Sequence, residues 1–241
     1  RYPVLREAIA LAATPQLRNM ATIGGNLLQR PRCWYFRNPH IACWLKGGSD
    51  CPARLGENQL HALFDVSPCV AVHPSDPAVA LLALDAVVRL RGPAGERALP
   101  LAALFAPPSA ERRVETILGP DELVVSIRIP PAGGLRSAYR KAMERNVWAF
   151  ALVSVAAAVR MEGGRIADCR LARGGVAPIP WRAPQAERLL TGATADESTF
   201  VAAADAALAG ATPLAHNGYK LPLARALIRR ALIAATSPDA A

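Results

Sequence analysis

Arg18-Asn19-Met20-Ala21-Thr22-Ile23-Gly24-Gly25-Asn26-Leu27 places two adjacent glycines between a threonine and an asparagine. Glycines lack Cβ atoms, so another group can approach the backbone closely at a turn there. Main-chain N–H groups gathered in such a turn meet the charge of a pyrophosphate, and Thr22 and Asn26 can add side-chain hydrogen bonds. A glycine pair alone is more often just a tight turn. This one also departs from the dinucleotide pattern G-x-G-x-x-G, which argues against a Rossmann site. Its weight comes from its neighbours in the chain: Cys33, Cys43, Cys51 and Cys69 fall within 37 residues. A phosphate-binding turn beside clustered thiols points to a redox protein with two cofactors.

The four cysteines are separated by nine, seven and seventeen residues. No pair has the C-x-x-C spacing of zinc ribbons or ferredoxin-type runs. A loop can still fold its thiols around one centre, and Pro52 follows Cys51 as proline follows a ligand cysteine in such runs. Spacing therefore leaves three readings open: an iron–sulfur cluster, zinc, or unligated thiols. His40 and His73 lie near enough to replace one thiolate, although exposed loop histidines more often ligate nothing. Cys169 stands apart in an alternating apolar run and reads as a buried thiol. A chain of 241 residues, 52% of them hydrophobic, has core enough to need no disulfide staples.

The same hydrophobic content with 20% charged residues excludes a disordered chain. The longest apolar run, residues 147–159, contains Ser154 and is too short to cross a bilayer. The net charge of +9 would suit nucleic acid or an anionic cofactor, but the arginines are scattered and not interleaved with aromatics. Nucleic-acid binding is not expected. No signal peptide is visible, and residues 1–30 already read as the middle of a domain, so further chain before Arg1 is expected. The compartment stays open between the periplasm, as part of an exported complex, and the cytoplasm.

Periodicity predicts a helix over 3–13, with Leu5, Ile9 and Ala12 on one face, ended by Pro15. Residues 30–70 are irregular, with four prolines and Gly47-Gly48; a loop this long in a compact domain is normally functional or disordered. A helix is expected over 78–86, strands over 87–91 and 123–129, and a boundary at Pro130-Pro131 and Gly133-Gly134. Strands over 149–161 and 165–174 form a hairpin through Glu162-Gly163-Gly164, with helices after it near 181–190, 197–210 and 219–235. The fold class is therefore α+β, its second part a small antiparallel sheet packed with helices.

Ser75-Asp76 before an apolar helix is explained well enough as a capping pair. The functional alternative is a hydroxyl and a carboxylate holding the hydroxyls of a ribityl chain. Arg140-Lys141 is either an exposed basic pair at the boundary or a cation facing a reduced flavin. No G-x-S-x-G elbow, H-E-x-x-H helix or Walker loop is present, so hydrolase and triphosphatase chemistry is not expected.

The segment 18–27 resembles the second flavin-contacting loop of the FAD subunits of molybdenum hydroxylases, the relatives of xanthine and carbon monoxide dehydrogenases. The resemblance continues, in order, through 75–86, 122–130, Tyr139-Arg140-Lys141 and Gly174-Gly175-Val176-Ala177-Pro178, and so covers nearly the whole chain. The loop beginning Gln29-Arg30-Pro31-Arg32-Cys33-Trp34-Tyr35-Phe36-Arg37 looks like the insertion that holds a 4Fe–4S cluster in bacterial periplasmic aldehyde oxidoreductases. The resemblance implies the C-terminal lobe of a PCMH-like FAD-binding domain over 1–131, with its iron–sulfur loop at 29–70. It implies a second domain, like the C-terminal domain of CO dehydrogenase flavoproteins, over 135–238. Thr22, Gly24, Gly25 and Asn26 would hold the FAD phosphates, and Ser75 and Asp76 the ribityl–flavin region. Val124 (or Ile127) would pack by the flavin, with Lys141 as its basic contact. Cys33, Cys43, Cys51 and Cys69 would ligate the cluster. The family's first glycine-rich lobe has no counterpart here. The implied partners are a large molybdenum-cofactor subunit, a small 2Fe–2S subunit and an external electron acceptor. A zinc-binding interaction module with a basic surface is the competing reading.

Overall fold

A computed structural model describes residues 2–237; Arg1 and residue 238, where the two expected domains begin and end, lie outside the described residues. Three short helices open the chain: α1 (Pro3–Leu11), α2 (Pro15–Met20) and α3 (Ile23–Leu27). The glycine pair therefore lies inside a helix and not in a turn. Thr22 caps that helix, its Oγ1 accepting from the Gly25 N–H at 3.1 Å. The cysteine loop holds only α4 (Trp34–Arg37) and two 3₁₀ turns, Trp44–Lys46 and Pro52–Arg54.

Helix α5 (Asp76–Ala83) is buried along all eight residues. It starts two residues earlier than periodicity indicates, because the Ser75 hydroxyl accepts from the Ala78 N–H at 3.1 Å and Pro77 fits the first turn. It stops where Asp85 takes φ +48. One side of α5, Ala78 and Leu81, packs with Leu27, Val88, Leu90, Leu101 and Leu104. The other, Val79, Ala80, Leu82 and Ala83, packs with Ala156, Ala158, Ala172 and Tyr139. A helix apolar all round is thereby sandwiched between two layers.

The first layer is a three-stranded antiparallel sheet of β1 (Val87–Gly92), β2 (Gly95–Pro100) and, after α6 (Leu101–Leu104), β3 (Leu123–Arg128), in the order β2-β1-β3. The second is a four-stranded antiparallel sheet of β4 (Arg136–Ala142), β5 (Val153–Glu162), β6 (Arg165–Gly174) and β7 (Trp181–Arg182), in that order. In β5 the even positions Ala156 and Ala158 face α5, while Val153, Val155, Ala157 and Val159 face α9 (Lys220–Thr236), against which α8 (Glu197–Leu208) packs. Burial on both faces explains why residues 153–159 are apolar apart from Ser154. Helix α7 (Pro184–Leu190) begins three residues later than expected, since Pro184 starts it and residues 181–182 pair as β7.

The far end of the cysteine loop is stitched to this second layer. Leu63 and Phe64 join its core, and the Leu63 N–H donates to the Val176 carbonyl at 2.8 Å. Val176 follows Gly175, whose φ of +73 favours glycine and whose added Cβ would sit 2.6 Å from the Leu152 carbonyl oxygen. Gly175→Ala is expected to cost about 3 kcal/mol, from left-handed strain and a backbone clash together. Urea unfolding of the assembled protein checks this; an unchanged midpoint would refute it.

Candidate functional site

A cavity of about 760 Å³ opens between the helical N-terminal segment, the cysteine loop and the 144–152 stretch. Its volume suits a cofactor. Asn26, Cys33, His61, His73, Ser75 and Asp76 are on its wall, with Trp148 and Phe150 at the side of the 144–152 stretch. Ser75 Oγ donates to Asn26 Oδ1 at 2.6 Å while accepting from the Ala78 N–H, so one hydroxyl ties α3 to α5. The oxygen of the Asn26 amide is thereby occupied, and its NH₂ is the donor it can offer a ligand. Thr22, Gly24, Gly25 and Val124 form a separate, more exposed group. A Cβ added to Gly24 would meet Val124 at 3.7 Å, so α3 lies directly against β3.

Asp76 is the charged centre of the wall. Tyr139 OH donates to its Oδ1 at 2.6 Å and Lys141 Nζ to its Oδ2 at 2.7 Å. Lys141 also donates to the Leu11 carbonyl at 3.1 Å. Burial pushes the Asp76 carboxyl above its usual range, against the pull of Lys141 and Tyr139. Burial, then the charge of Asp76, raises the Tyr139 hydroxyl well above its ordinary value. Lys141, with 1% of its side chain exposed, is no surface cation of a basic pair; it faces Asp76, while Arg140 reaches Glu7 at 3.2 Å.

The four loop thiols share one packed group with Phe36, Trp44, Leu45 and Ala71. Cys43 and Cys69 are buried, Cys33 and Cys51 half-buried, and all are free of disulfides. Burial raises the Cys33 thiol, and the charges of Cys51 and Cys43 add to the rise. The neighbouring Cys51 and Cys69 thiols shift one another in opposite directions, Cys51 downward and Cys69 upward. The thiols are thus close enough to feel one another's charge. Among the described residues, no three His, Cys, Asp or Glu side chains converge on a point that would hold a single ion. Arg113 braces the loop, donating to the Trp44 carbonyl at 2.6 Å and the Gly48 carbonyl at 3.0 Å, its guanidinium 4.8 Å over the Trp44 ring.

His40 is exposed. His73 is buried instead of exposed, its Nδ1 accepting from the Ser75 N–H at 3.3 Å, and burial lowers it to about 4. Three further groups at the site are not among the site residues assigned from the sequence. His61 Nε2 lies 3.2 Å from Cys33 Sγ, and burial with the nearby Lys220 charge lowers its ring to about 4. Lys220 is wholly buried and donates to the His61 and Gly175 carbonyls, both at 2.9 Å. Tyr139, two positions before Lys141, is the third. No local pattern singles out any of them, because their partners lie 28 to 159 residues away; the loop position of His61 was the one available signal.

Residues 1–132 match the FAD binding domain in molybdopterin dehydrogenase, and residues 137–235 the CO dehydrogenase flavoprotein C-terminal domain. The aldehyde oxidoreductase FAD-binding subunit PaoB of Escherichia coli (strain K12) is 44% identical over 228 residues, covering 93% of this chain and 68% of that protein. The chain belongs to the FAD-binding medium subunits of the molybdenum hydroxylases. The carbon monoxide dehydrogenase medium chain of Hydrogenophaga pseudoflava is 29% identical, covering 98% of this chain and 67% of that one. A solved structure of that organism's carbon monoxide dehydrogenase, lacking the Mo-pyranopterin moiety, superposes with a TM-score of 0.73 at 29% identity, over 98% of this chain and 67% of that chain. As an oxidoreductase subunit of this family, the protein has FAD as its cofactor. The cavity fits that demand: buried polar groups at one side, aromatic rings at the other.

In this FAD-binding subunit, Asp76→Asn strands the Lys141 ammonium without a counter-charge and is expected to cost about 3–5 kcal/mol. Adding Lys141→Met should recover much of that loss; in urea titrations, additive losses would contradict the pairing. Lys220 supplies a pH dependence. Desolvation lowers it to about 7 in the folded chain, whereas unfolded lysine holds its proton to about 10.4. Between those values the unfolded state binds the extra proton, so this component of stability is present above the unfolded pKa and lost as pH falls toward the folded one. Wild type should gain stability from about pH 7.5 to about 9.5 relative to Lys220→Met. Parallel pH profiles would refute the assignment.

Proposed function

We propose that this chain is an electron-transfer subunit that holds FAD and one 4Fe–4S cluster side by side. Substrate oxidation, of an aldehyde or an aromatic heterocycle, belongs to a molybdenum-bearing large partner; electrons arrive through 2Fe–2S centres of a small partner and leave to an external acceptor. Within the chain, 1–131 serves as the C-terminal lobe of the FAD domain and 135–238 as the second domain. The observation that carries the reading is the position of Cys33, which belongs to the four-thiol group and is also on the wall of the cavity.

The donor set suits an iron–sulfur cluster. Four thiols in one apolar group suit soft metal centres. A flavin takes electrons singly or in pairs and a cluster one at a time, so a flavin held beside the cluster could exchange single electrons with it. The chain's own contribution is placement. Ser75 and Asn26 fix polar groups on the cavity wall, and Thr22, Gly24 and Gly25 at the start of α3 are assigned to the FAD phosphates, the Gly25 N–H being already given to Thr22 Oγ1. Asp76, with both oxygens occupied by Tyr139 and Lys141, holds that wall rigid. Phe36, Trp44 and Leu45 keep water from the thiols and so bear on their potential.

The test is anaerobic metal and flavin analysis of the assembled complex. Wild type should carry about four iron atoms beyond those of the 2Fe–2S partner, in the proportion a 4Fe–4S cluster sets. Cys43→Ser and Cys51→Ser should lose that iron while keeping most of the flavin. Unchanged iron in both variants, or zinc in its place, would overturn the cluster.

A further inference from the structure

His61 is 2% exposed and lies in the cysteine loop, where the folded chain brings it back against Cys33. Its Nε2 stands 3.2 Å from Cys33 Sγ, and its Nδ1 is buried with no hydrogen-bond partner. The ring is clamped. Trp34 meets it edge-on, centroids 5.2 Å apart at 82°, and Tyr35 lies 6.3 Å away. Its backbone is fixed as firmly: the His61 N–H donates to the Asn58 carbonyl at 3.0 Å. Its own carbonyl accepts from Lys220 Nζ at 2.9 Å and from Asn217 Nδ2 at 3.2 Å.

A ring that merely filled space would be better made by phenylalanine, because a buried, unpaired imidazole nitrogen costs about 1–3 kcal/mol. The polar atom that does have a partner has a sulfur for it. Of the four loop thiols, Cys33 is the one on the cavity wall, and His61 shares that wall.

We propose that His61 is a positioning residue that donates Nε2–H to the Cys33 sulfur and thereby raises the reduction potential of the cluster at the corner facing the cavity. The inference rests on the 4Fe–4S reading of the four thiols. An iron-bound thiolate has no proton to give, so the ring must be the donor across this contact, which fixes its tautomer with the proton on Nε2. Reduction places more negative charge on the cluster sulfurs, and an N–H aimed at one of them stabilises the reduced state more than the oxidised one. No proton or electron crosses the bond; it changes only the equilibrium.

EPR-monitored redox titration of the intact complex tests this with His61→Phe and His61→Gln. The phenylalanine variant keeps the ring's bulk and loses the donor. Its iron content should match wild type, and its one-electron reduction equilibrium should fall about tenfold, ~59 mV to the negative side. The glutamine variant retains an N–H and should recover part of that shift. An unshifted potential in His61→Phe, or equal shifts in both variants, would overturn the proposal and leave the cluster standing. Absence of the extra iron in wild type would instead overturn the cluster reading, and this inference with it. A measurement without variants guards against failed assembly: pulsed EPR of wild type grown with ¹⁵N-histidine should show one histidine nitrogen coupled to the reduced cluster, and no such coupling would refute the bond.

Discussion

A carboxylate buried at the first turn of α5 can exist only if something inside the protein answers its charge. Burying an unpaired ion costs far more than a domain's whole stability can spare. Asp76 finds Lys141 and Tyr139, both on β4, more than sixty residues away in sequence. That one arrangement fixes α5 against the four-stranded sheet, and α5 in turn carries Ser75 and, through it, Asn26. The cavity wall is therefore an outcome of charge pairing. Small side chains make the approach possible: Ala156, Ala158 and Ala172 bring the sheet close to α5.

The cysteine loop faces the opposite difficulty. With little regular structure it must be ordered by many separate ties, each offsetting some of the conformational entropy lost. Arg113 holds it at Trp44 and Gly48, Leu63 pairs with Val176, and Lys220 with Asn217 pins the backbone at His61. These anchors come from the connection between α6 and β3, from the segment after β6, and from the start of α9 with the turn before it. The thiols are consequently placed by these outside anchors together with bonds inside the loop, such as Arg54 to the Ser67 and Pro68 carbonyls and the Ala62 N–H to the Val70 carbonyl.

Legibility in the sequence tracked the range of the interaction. The β5–β6 hairpin was plain, because Glu162-Gly163-Gly164 must turn and the flanking runs are apolar. The α9 stripe was equally plain from its 3.6-residue period. Residues 149–152 read as strand because they continue an apolar run, yet pairing of β5 starts only at Val153, after a segment in which Trp148 takes φ +54. Gly24 and Gly25 read as a turn from propensity, but a Thr22 cap and contact with β3 and α5 hold them helical. Lys141 beside Arg140 looked like surface charge, since nothing local tells that Asp76 waits opposite. His61 was illegible for the same reason: its partner is a sulfur 28 residues upstream.

An iron-edge anomalous difference map of the assembled complex should show a compact peak enclosed by the sulfurs of Cys33, Cys43, Cys51 and Cys69, on the cysteine-loop side of the cavity. Iron density elsewhere, none at all, or sulfurs joined pairwise at that place would contradict the cluster reading.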